Sequence, residues 1–128
     1  MAFTAISDRD VIIADNTGIC NYIASGTILR GQAVEVVEDT YVIATDSKPS
    51  RGFVGVAIDS KTAGYPIGVW NPGNIVWGRA SGTGVAAGDR VVATVNGEFQ
   101  DEIGGSGAIG LSLTTQATAD GLIKVLLY

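Results

Sequence analysis

The sequence contains no histidine and a single cysteine, and these two scarcities remove whole classes of chemistry. Without imidazole there is no Ser-His-Asp triad, no Cys-His dyad and no His-containing metal site. Cys20 alone forms neither an internal disulfide nor a thiolate zinc site. With no histidine to activate it, it reads as a small apolar residue half-buried beside Ile19 and Ile23.

Basic residues are also few. Lys plus Arg number 8 against 13 Asp plus Glu, for a net charge of −5, and the cations are scattered along the chain. Because neutralisation of phosphate supplies most of the affinity of nucleic-acid binding, no nucleic-acid partner is expected. No apolar run approaches the ~20 residues of a membrane helix, so no membrane partner is expected either. The opening MAFTAISDRD has no basic region and turns acidic within 8 residues, unlike a secretion signal, which predicts a soluble chain made in a cytoplasm.

What the chain does have is apolar residues (46%) punctuated by 18 glycines. That balance is too hydrophobic for disorder and too interrupted for long helices, so the expected class is all-β. At 128 residues the chain makes one domain able to bury about 65–70% of its unfolded surface. Ala33–Val37 and Tyr41–Thr45 flank Glu38-Asp39-Thr40 as a hairpin would. Gly52–Ile58 is a more continuous apolar run, as in a strand covered on both faces. Asn71-Pro72-Gly73-Asn74 reads as the turn of a second hairpin carrying Trp70 and Trp77. Asn96-Gly97 marks a third hairpin between Gly88–Val95 and the Glu98–Glu102 segment, and Gly107–Leu113 and Gly121–Tyr128 supply two closing strands.

The two halves align on each other. Gly31-Gln-Ala-Val falls on Gly88-Asp-Arg-Val, Gly52-Phe-Val-Gly-Val on Gly107-Ala-Ile-Gly-Leu, and Ile67-Gly-Val-Trp on Ile123-Lys-Val-Leu. The leading glycines are 21 residues apart in one copy and 19 in the other. Two pseudo-repeated units of roughly 40 residues are too few for a solenoid and predict a small barrel or sandwich. Gly55 and Gly110, mid-strand in matching places, are expected to mark bulges or bends. Residues 1–25 fall outside this repeat and read as an N-terminal arm or edge strand, leaving 26–128 as the single β domain.

No constellation of catalytic residues emerges. Acidic clusters at Asp8-Asp10-Asp15, Glu35-Glu38-Asp39 and Glu98-Asp101-Glu102 lack calcium-loop spacing and read as solvated faces. Ser81–Gly84 and Gly104–Gly107 lack the Gly-Lys-Ser/Thr continuation of a phosphate loop. No metal, cofactor or enzymatic activity is expected. Trp70 and Trp77 suit three roles: core bulk, a stacking platform, or a subunit interface.

The succession ILRGQAVEV, GFVGVAIDSKTAGYPIGVW, GNIVWGRASG, VAAGDRVVA and GAIGLSLTTQATADGLIKVLL resembles the capsid cement, or head decoration, proteins of tailed phages. The likeness runs from Ile28 to Leu127, with two departures, a longer N-terminal stretch and Ser112 where the family tends to alanine. It implies a non-enzymatic virion protein on the outer surface of the capsid, a homotrimer at threefold or quasi-threefold sites that clamps neighbouring copies of the major capsid protein. On that reading the capsid or subunit contacts fall on Phe3, Ile6, Ile12, Ile13, Tyr22, Trp70 and Trp77, with the arm adding as a strand to a capsid sheet. The alternative is a carbohydrate-binding or adhesion module that uses Trp70 and Trp77. A biotinyl or lipoyl carrier domain needs a lysine at a hairpin tip in a Met-Lys context, which this chain lacks.

Overall fold

A computed structural model describes residues 18–46, 52–102, 107–116 and 121–128. The protein is all-β. In chain order the strands are β1 (Ile19–Ala24), β2 (Ala33–Glu38), β3 (Tyr41–Ala44), β4 (Phe53–Ala57), β5 (Pro66–Trp70), β6 (Ile75–Arg79), β7 (Arg90–Ala93), β8 (Phe99–Asp101), β9 (Gly110–Ser112) and β10 (Leu122–Leu127). Among the described residues the sole helical element is a single 3-10 turn at Val95–Gly97.

Strands β1 to β5 close into a barrel in the order β1-β3-β2-β4-β5, and β6 to β10 form a five-stranded sheet in the order β6-β10-β9-β7-β8. Starting the barrel at β3 gives β3-β2-β4-β5-β1, which matches β8-β7-β9-β10-β6 strand for strand. The repeat is therefore architectural, and it is larger than the aligned segments suggested. Strand β1 belongs to it, as the counterpart of β6.

The barrel closes where β1 runs parallel to β3, pairing Ile23 with Tyr41 and Ala24 with Val42, and Ser25 N–H donates to the Val42 carbonyl at 2.8 Å. The second sheet makes one bridge of the same kind, Ala80 with Phe99, where Ser81 N–H donates to the Phe99 carbonyl at 2.8 Å. The same tetrapeptide, Ala-Ser-Gly-Thr, follows both strands, at 24–27 and at 80–83. Identical local chemistry thus turns the chain identically in each unit.

Two expectations from the sequence need correction. Ile19–Ala24 is neither arm nor edge: it pairs with β5 along its length and with β3 at its end. Its partners lie far along the chain, so local pattern gave no sign of them. The segment Asn71–Asn74 is not a hairpin turn either. It joins the barrel to the second sheet, since β5 pairs with β1 and β4 whereas β6 pairs with β10. The β2–β3 and β7–β8 hairpins do form.

Each unit has its own apolar core. Ala24, Ile28, Val34, Val42, Ala57, Ile67 and Val69 fill the barrel. The second core gathers Phe99, Ile123, Val125 and Leu127, and it also takes in Ala33 and Val56 from the barrel wall, with Phe53 and Trp70 packed against it. Strands β2 and β4 are consequently covered on both sides, which is why they read as continuous apolar runs. Polar contacts stitch the same junction: the Thr45 hydroxyl donates to the Thr94 carbonyl at 2.5 Å, and Gln32 Nε2 donates to the Asn96 carbonyl at 2.9 Å.

Candidate interaction surface

Among the described residues no three His, Cys, Asp or Glu side chains are grouped so as to hold a metal ion. Ser81–Gly84 is a tight turn, closed by Gly84 N–H to the Ser81 carbonyl at 3.1 Å and by a 2.8 Å contact between the Ser81 and Thr83 hydroxyls. No helix starts there to hold an anion. Gly104–Ser106 and the acids Asp8, Asp10 and Asp15 lie outside the described residues.

The surface that stands out is the outer face of β6 and β10. Both strands alternate strictly, with Val76, Gly78, Ile123 and Val125 turned into the core. Their other faces present Ile75, Trp77 and Leu122, which are 61%, 48% and 43% exposed. Register sets these side by side: Ile75 opposite Leu126, Trp77 opposite Lys124 and Arg79 opposite Leu122.

Two cations are held in this apolar field. Lys124 Nζ lies 5.4 Å from the centre of the Trp77 ring, within reach of the attraction between an ammonium and an aromatic face. Arg79 is tied to the barrel: its Nε donates to the Arg30 carbonyl at 2.8 Å and its backbone N–H to the Gly31 carbonyl at 3.0 Å. Between the units these residues line a groove of about 280 Å³, bounded by Arg30, Gly31, Trp77, Arg79 and Leu122.

The repeat shows what is special about this face. Counting from the first residue of each strand, Trp77 on β6 occupies the place of Asn21 on β1, and Lys124 on β10 that of Gly68 on β5. Gly68 is roofed by Ile58, whose Cδ1 would come within 3.0 Å of a Cβ there. The barrel thus covers its version of the surface, while the second sheet leaves a tryptophan and a lysine in solvent.

Of the residues singled out as contacts, Trp77 is the exposed one. Trp70 is half-buried against the second core, and Tyr22 is half-buried against the barrel core. Burial raises the Tyr22 phenol pKa above its usual value, with the neighbouring Cys20 adding to the effect. Phe3, Ile6, Ile12 and Ile13 lie outside the described residues. Because Trp70 and Trp77 sit on different sheets, they do not form the two-ring platform that a shared hairpin would have built. Ile75, Arg79, Leu122 and Lys124 were not picked out from sequence. The alternation in NIVWGR and LIKVLL was the available signal, but it does not say which alternate set faces water.

No protein-family model and no curated protein matches the chain. Among solved structures it is similar to the N base of head fiber gp8.5 of bacteriophage phi29, with 12% identity, a TM-score of 0.65, and coverage of 86% of this chain and 92% of that one. At that identity the likeness is one of fold, and it extends over both five-stranded units.

Proposed function

We propose that the protein is a structural virion protein that sits on the outer surface of a phage head as a cement or decoration protein, with no enzymatic role. The observation that carries this reading is the shared fold with the base of a phage head fiber across most of both chains. The order of motifs from Ile28 to Leu127, which resembles head decoration proteins, adds to it.

In this reading a homotrimer occupies threefold or quasi-threefold sites and bridges neighbouring major capsid proteins. The β6–β10 face supplies the apolar contact, with Trp77 as the anchor, because exposed aromatics flanked by cations suit interface centres. An acidic, rigid β domain stays soluble until the lattice offers a site. Binding confined to the assembled shell then stabilises it by mass action, and many copies multiply a modest contact.

The test is co-sedimentation of the purified protein with expanded heads that lack it, alongside light scattering of the free protein. Saturable binding at threefold stoichiometry with a more heat-resistant shell is expected; absence of binding overturns the reading. A carbohydrate-binding role now rests on Trp77 alone. Glycan binding that Trp77→Ala abolishes at unchanged oligomeric state would favour it instead.

A further inference from the structure

We propose that residues 1–17 dock in cis on the outer face of β6 and β10, covering Trp77 in the free protein. The first observation is where that segment leaves the fold. The Gly18 carbonyl accepts from Asn71 N–H at 2.7 Å and from Asn74 Nδ2 at 3.3 Å, and Asn74 immediately precedes Ile75, the first residue of β6. The segment therefore starts at one corner of the exposed face.

The second observation is complementarity. The face is apolar through Ile75, Trp77 and Leu122 and cationic through Arg79 and Lys124. The segment offers Phe3, Ile6, Ile12 and Ile13 together with Asp8, Asp10 and Asp15, and only one cation, Arg9. A protein of net charge −5 that places two cations on its largest apolar face has built a site for an acidic, apolar strip, and its own first 17 residues are one.

Reach and concentration favour the same chain over another copy. Seventeen residues extend to about 56 Å, several times the length of a five-residue strand. Tethering at Gly18 gives a millimolar-scale effective concentration, so weak contacts suffice. Any partner that uses this face must first displace the segment, which makes it a competitor released on docking.

The test uses full-length protein carrying Trp70→Phe, so that Trp77 is the only tryptophan, and reads acrylamide quenching of its emission. A variant lacking residues 2–17, and an intact-length variant with Asp8→Lys, Asp10→Lys and Asp15→Lys, should each raise the quenching constant by about two-fold or more, as a largely docked population becomes free. High salt should move the wild-type segment in the same direction. The charge-reversed variant keeps the test valid if the deletion misfolds. Equal quenching in all three proteins overturns the proposal. To separate cis from trans, the deletion protein is mixed with full-length copies carrying Trp70→Phe and Trp77→Phe. Restored protection of Trp77 in that mixture would overturn docking in cis. Neither readout needs a phage head, so failure here leaves the virion reading standing, and failure of head binding leaves this one.

Discussion

Gly55 and Trp70 lie backbone against backbone: a Cβ on Gly55 would fall 1.9 Å from the Trp70 carbonyl oxygen, and the glycine itself has φ +154°. The β2–β4 register slips at this point, pairing Val34 with Gly55 but Glu35 with Phe53, so β4 carries a bulge. The second unit repeats the approach, with a Cβ on Gly110 falling 2.8 Å from the Leu126 carbonyl. Gly55→Ala should therefore destabilise the protein by about 3 kcal/mol or more, combining backbone strain with a clash against fixed backbone. Gly26→Ala, where a Cβ meets nothing within 4 Å, is the control expected to change little. Urea unfolding of both variants checks this, and equal midpoints would contradict the close approach.

Val56 and Ala33 belong to barrel strands but are buried in the second core. The two units should accordingly unfold together, giving one calorimetric transition. Val56→Ala should lower stability by about 2 kcal/mol, through lost transfer energy plus the cavity it leaves, without splitting that transition. Two separate peaks in the wild-type protein would show the units to be independent.

Thr45 is fully buried, and its hydroxyl spans the junction to Thr94. Thr45→Val removes the donor while keeping the shape, and strands the Thr94 carbonyl on that side. A loss of about 1–3 kcal/mol is expected, read from denaturant midpoints. A Thr45→Ser variant, which retains the hydroxyl, should recover a good part of it.

Tyr22 holds its proton more tightly folded than unfolded, because burial disfavours the phenolate and Cys20 reinforces the effect. Above about pH 10 the unfolded chain releases this proton while the folded one keeps it, so stability falls as pH rises through the folded pKa. Below that range the contribution is intact. Tyr22→Phe should flatten the alkaline decline in midpoint, measured by denaturant titration from neutral to strongly alkaline pH.

The parts of the fold that were legible in the sequence are those fixed by neighbours along the chain. Turn chemistry announced the β2–β3 and β7–β8 hairpins, the apolar run at 52–58 announced a strand covered on both faces, and the mid-strand glycines 55 and 110 announced close approaches. The matched segments, with their paired glycines, announced two β units. Tertiary structure alone decided the rest, because it depends on pairing between distant residues. Strand β1 closes a barrel only by meeting β5, nearly fifty residues downstream, and nothing within Ile19–Ala24 records that partner. Likewise Trp70 and Trp77 share a turn in sequence but belong to separate sheets, so one packs inward against the second core while the other faces water. A strand's alternation divides its residues into two faces. Which face meets solvent is set by the unit packed against it, and here that packing left Trp77 and Lys124 outside.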